Sequence, residues 1–162
     1  MPNKEVAEAL YQLGRAHSLS GNHLFAKAID YAIEQKIPDP DHFAFNGTFS
    51  LSTYYLLGLG IELLVKAAYV ASGGESDDKH LRNAIGHDLQ KALEQARSVG
   101  FETNAPRLNG IVGSLSEPYK QHFFRYAKPT EMGLPIVPEV VEALVVLDEE
   151  VEALIGSLGD PQ

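Results

Sequence analysis

Gly60-Ile61-Glu62-Leu63-Leu64-Val65-Lys66-Ala67-Ala68 is a strongly apolar run that nonetheless carries a Glu–Lys pair. It sits inside a longer segment, Phe49 to Ser72, that predicts a helix ended by Gly73-Gly74. The first of these glycines suits a left-handed cap. Leu57, Ile61, Leu64, Val65 and Ala68 cover most sides of that helix, so it is expected to be the central, most buried one. Gly58 and Gly60 weaken it intrinsically but let a neighbour approach closely. A carboxylate at Glu62 in such surroundings needs a partner. Lys66, four residues on and in the favourable order, is the local candidate. Arg82 or His87 from the next helix is the other.

Working outward, the chain reads as helical nearly throughout. From Asn3 to Lys36, Val6, Leu10, Leu13, Leu24, Ala28 and Ile29 recur at helical spacing, with Ser18-Leu19-Ser20-Gly21-Asn22 as a point of bending or splitting. Ile37-Pro38-Asp39-Pro40-Asp41 stops this helix and opens a loop to about Gly47. Glu75 to Lys79 is a charged loop. A third helix is expected from His87 to before Gly100, with Leu89, Ala92, Leu93 and Ala96 inward. A fourth is expected from Pro106, with Thr103 or Asn104 as caps, continuing past Pro118 to Tyr126. After a loop over Lys128 to Val137, Pro138 opens a last helix with Leu144, Leu147, Val151, Leu154 and Leu158 in a 3-4 rhythm. No strand alternation or internal repeat is visible. The fold class expected is therefore all-α, an up-and-down bundle of four to five helices in a single domain over 1–162. Its core lies at about 49–126 and its C-terminal helix at about 138–158.

Composition narrows the function. With no cysteine among 162 residues, disulfides, thiolate metal sites and cysteine nucleophiles are excluded. Met1-Pro2-Asn3-Lys4-Glu5 has no apolar core of a signal peptide, and the Tyr54–Ile61 run falls short of a membrane span, so a cytoplasmic, soluble protein is expected. A net charge of −9 argues against wholesale nucleic-acid binding, though not against a small basic cleft. Eight of the thirteen Lys and Arg residues lie between Lys79 and Lys128, so the middle of the chain is its less acidic part. The acidic run Glu139, Glu142, Asp148, Glu149, Glu150, Glu152 reads as the solvated face of the last helix.

Three groups could carry chemistry. Arg82-Asn83 followed by His87 supplies a base for a ribose 2′-hydroxyl and a guanidinium for phosphate charge, with Glu62 and Asn83 in support. On a continuous helix, positions five apart diverge by about 140°, so Arg82 and His87 converge only if Gly86 breaks the backbone. The structural alternative is that His87 caps the helix amides and Asp88 faces the positive helix end. A complete acid–base pair needs a second histidine, from His80, His122 or a dimer mate. His122-Phe123-Phe124-Arg125-Tyr126 could stack a base and neutralise a phosphate through His122 and Arg125, or simply pack on the core. Asp88 joins His122 and Arg125 as a ligand-binding candidate. His80, His87 and Asp88 match no standard metal spacing, and no Glu has a His three residues later, so no metal and no other cofactor is expected.

The succession Gly60 to Gly74, then Leu81 to Leu89 with Gly86-His87-Asp88-Leu89, then His122 to Ala127, resembles the HEPN superfamily of small helical domains. The likeness spans roughly Tyr54 to Tyr126. It implies a HEPN-like bundle, commonly a homodimer, in a defence or stress setting. Such a module would bind a nucleotide, RNA or a protein partner such as an antitoxin, with little or no catalysis. The alternatives are a metal-independent endoribonuclease using Arg82 and His87, and a purely structural dimerisation protein.

Overall fold

The structure, a computed structural model, describes residues 2–126 and 133–159. Among them are seven α-helices, one π-helical turn and no strand, so the protein is all-α. Five helices have ten residues or more: α1 (Lys4–Glu34), α3 (Ser50–Ala71), α4 (Leu89–Ser98), α5 (Leu108–Lys120) and α7 (Val137–Gly156). Two short ones, α2 (Pro40–Asn46) and α6 (Phe123–Tyr126), and the π-helical turn His80–Ile85 bring the elements above the four to five expected.

The central helix is α3, which packs against α1, α4, α6 and α7. Leu57, Ile61, Leu64, Val65 and Ala68 are all fully or almost fully buried. By length and composition alone α3 could cross a membrane, contrary to the short span expected from Tyr54–Ile61. However, 78% of its apolar window is buried inside the fold, and it serves as the core helix.

Helix α1 is continuous through Ser18–Asn22, where a bend was expected, because its small residues are contact points. A Cβ on Gly14 would lie 2.8 Å from the Leu64 backbone nitrogen, and one on Gly21 would lie 2.9 Å from a Leu57 methyl. Ser18 meets Gly60 between them, and its hydroxyl is absorbed by the Gly14 carbonyl at 2.8 Å. Residue numbers rise along α1 as they fall along α3, so the two helices run antiparallel at close approach. Gly58 serves a second approach, with the Tyr119 ring of α5 2.8 Å from where its Cβ would be.

Several boundaries differ from the sequence reading. Asp39 caps α2 through its side chain at 3.1 Å from the His42 amide, with Pro40 in the first turn, inside what was expected to be a loop. Thr103 and Asn104 do not cap α5 but bind Glu150 of α7, at 2.5 Å and 2.8 Å, and α5 starts at Leu108 after Arg107 in the left-handed region. Pro118 is held inside α5, and the break comes at His122, with φ 56°. Residues 133–136 are irregular, as expected there, and the remainder of that loop, like the Arg125 side chain, lies outside the described residues. On α7, Val137, Val140, Ala143, Leu144, Leu147, Val151 and Ile155 face the core.

Candidate functional site

Everything at the site hangs on one buried carboxylate. Glu62 on α3 is 2% exposed and accepts three hydrogen bonds from three parts of the chain. Lys66 Nζ, one turn along α3, donates to Oε1 at 2.7 Å. The Tyr119 hydroxyl of α5 donates to Oε2 at 2.5 Å. His87 Nδ1, from the segment ahead of α4, lies 3.0 Å from the same oxygen. A carboxylate is acceptor-only, so this contact places the proton of a neutral His87 ring on Nδ1 and leaves Nε2 with its lone pair.

The backbone before His87 is shaped to deliver it. The π-helical turn closes with the Gly86 amide on the Leu81 carbonyl, five residues back, at 3.2 Å. Such turns occur disproportionately at functional sites. Gly86 then adopts φ 65°, ψ −144°, a conformation essentially reserved for glycine. Lys66 Nζ also bonds the Gly86 carbonyl at 2.8 Å. One ammonium thus ties the carboxylate to the loop that carries its histidine. The sequence left open whether Glu62 would pair along its own helix or with the next segment, and it does both.

The His87 side chain is 53% exposed although its anchor is buried. Its ring meets Tyr119 edge to face at 6.2 Å and His122 at 6.0 Å between centroids, with planes 70° apart in the histidine pair. His122 reaches it from the break between α5 and α6. His87 therefore does not cap α4. That role falls to Asp88, which accepts from the Lys91 amide at 3.0 Å. Asp88 also takes the Lys120 ammonium at 2.9 Å and the Ser116 hydroxyl at 3.3 Å. Burial pushes its carboxyl upward, but the Lys91 amide, Lys120 and Ser116 together outweigh burial and hold it below the ordinary carboxylate range.

Arg82 lies elsewhere. Its Nε bonds Asp78 at 2.8 Å on the open surface, where both side chains are about three-quarters exposed. Asn83 is exposed beside it. His80 makes a separate group, with its Nε2 3.2 Å from the Tyr69 hydroxyl and its Nδ1 3.2 Å from Glu75. Of the residues singled out in the sequence, the structure brings Glu62 and His122 each to His87, with Asp88 next in the chain, and sets Arg82 and Asn83 apart. Tyr119 and Lys120 are the members that sequence reasoning missed. Among the described residues no three metal-ligating side chains converge.

No family model, curated protein or solved structure matches this chain. An exposed imidazole whose rear nitrogen is fixed by a buried carboxylate has one defined outward face. Neutral, that face accepts a proton; protonated, it donates to an anion.

Proposed function

We propose that this chain is a HEPN-like helical module, homodimeric, that binds RNA at the His87 surface and cuts it slowly without a metal. The observation that carries this reading is the 3.0 Å contact between buried Glu62 and half-exposed His87. A histidine held this way can take the proton of a ribose 2′-hydroxyl, whose oxygen then attacks the adjacent phosphorus. A positioned base contributes about 10²–10⁴-fold to rate. Lys120, half-exposed on the carboxylate of Asp88, the residue that follows His87, is the cation offered here to hold a phosphate oxygen, a part that the sequence reading gave to Arg82. The engagement of Arg82 with Asp78 favours a second reading, binding without cleavage.

The test is incubation of the purified protein with mixed single-stranded and transfer RNA in EDTA, beside His87→Ala. Fragments ending in 2′,3′-cyclic phosphate are expected from wild type, and a rate lower by about 10²–10⁴-fold from the variant. A folded His87→Ala protein that cuts as fast as wild type refutes the role of His87. Intact RNA that is nevertheless retained on the protein in a filter assay leaves the binding reading alone standing.

A further inference from the structure

The geometry points to His122 as the general acid of this site, paired with His87 as base, so that one protomer holds both proton-transfer groups. The inference rests on the cleavage reading above and assigns a role that His87 cannot fill alone. With Nδ1 committed to Glu62, His87 offers a single nitrogen to substrate. While that nitrogen accepts the proton of the attacking hydroxyl, it cannot also donate one to the departing oxygen. A second proton-transfer group must face the first across the scissile phosphorus.

His122 is placed for this by a left-handed turn of the backbone. It follows Gln121, the last cap residue of α5, and turns the chain into α6 with φ 56°. Histidine is among the side chains that this region admits most readily, so the turn forms without a glycine. The result is a ring 6.0 Å from that of His87, with planes 70° apart. No hydrogen bond occupies the His122 ring among the described residues, in contrast to the committed Nδ1 of His87. Among the described residues, Glu62 and Tyr119 touch His87, Lys66 bonds Glu62, and Lys120 bonds Asp88, the next residue in the chain.

The step balances without a co-reactant. The 2′-hydroxyl gives its proton to His87 Nε2 as its oxygen forms a bond to phosphorus. The bond from phosphorus to the 5′-oxygen breaks, and that oxygen leaves with a proton from His122. The products are a 2′,3′-cyclic phosphate and a free 5′-hydroxyl.

A leaving-group comparison tests the assignment. An alkoxide needs the acid; 4-nitrophenolate does not. Two substrates are compared: a mixed-sequence RNA oligonucleotide and a mixture of the four nucleoside 3′-(4-nitrophenyl phosphates). Two variants, His122→Ala and His122→Gly, are used because glycine accepts φ 56° without strain and keeps the backbone in place. Both variants are expected to slow oligonucleotide cleavage by about 100-fold or more while changing 4-nitrophenol release by only a few-fold. His87→Ala is expected to slow both by about 10²–10⁴-fold. Equal slowing on the two substrates, or no slowing on either, overturns the role of His122 and leaves the cleavage reading intact. A wild-type protein inert on both substrates overturns the cleavage reading, and this inference with it.

Discussion

Lys66→Met is the substitution that most severely probes how the site is held. Lys66 is 7% exposed at its side chain and Glu62 2%, and 2.7 Å separates their charged atoms. Removing the ammonium leaves a buried carboxylate with only the Tyr119 hydroxyl and the His87 ring as donors. Breaking one side of a buried pair costs about 3–5 kcal/mol, a large part of a total stability of about 5–15 kcal/mol. At about 2–4 °C per kcal/mol for a chain of this size, the melting temperature should fall by at least about 6 °C. Glu62→Leu should cost as much, because it strands the ammonium with only the Gly86 carbonyl. The double variant, Glu62→Leu with Lys66→Met, removes both charges. It should cost only about 1–3 kcal/mol, chiefly for the Tyr119 hydroxyl deprived of this acceptor. Urea unfolding followed by far-ultraviolet circular dichroism, fitted with a shared slope, closes the cycle. Single variants costing under about 1 kcal/mol each, or a double variant costing their sum, would refute the buried-pair account.

Three further outcomes follow from the fold. Gly14→Ala should destabilise by about 1–3 kcal/mol, since its Cβ meets the Leu64 backbone at 2.8 Å, whereas Gly113→Ala, with open space around it, should stabilise by about 0.5–1 kcal/mol; thermal melts check both. Asp88→Ala should cost about 1 kcal/mol as a lost cap. The folded Asp88 carboxyl is held below its ordinary 3.8, so its charge stabilises above that value and the benefit disappears as pH falls through the lower folded value. The gap between wild type and variant should therefore close on acidification in a pH series of urea unfolding curves. Asp148 behaves oppositely: burial raises its carboxyl, so wild-type stability falls as pH rises from 3.8 through the folded value, and Asp148→Asn should melt higher than wild type near neutrality. That advantage should vanish below the ordinary carboxylate range.

The parts legible in the sequence are those fixed by local physics. The apolar α3, its Gly73 terminus and the Glu62–Lys66 pair one turn apart all follow from spacing. Asp39-Pro40 was a helix-start signal that the short length of α2 concealed. Asp78, one turn before Arg82, was in favourable order to pair with it, which is where the guanidinium went. The π-helical turn carries no residue pattern of its own, so the path by which Gly86 presents His87 could not be anticipated. Tyr119 reaches Glu62 across 57 residues, and although the fourth helix was expected to run on past Pro118, nothing in its spacing tied the Tyr119 hydroxyl to a carboxylate on α3. His122 was visible as a residue type, but its approach to His87 depends on a left-handed turn that histidine tolerates without advertising.

Buried Glu62 fixes the proton of the neutral His87 ring on Nδ1 and leaves Nε2 free of it. Long-range proton–nitrogen correlation spectra of nitrogen-15-labelled protein, compared with Glu62→Gln, test it directly. A neutral His87 with its proton on Nδ1 is expected in wild type, and a ring mixed between both forms once an amide replaces the carboxylate. A wild-type His87 carrying its proton on Nε2, or one unaffected by the substitution, would contradict it.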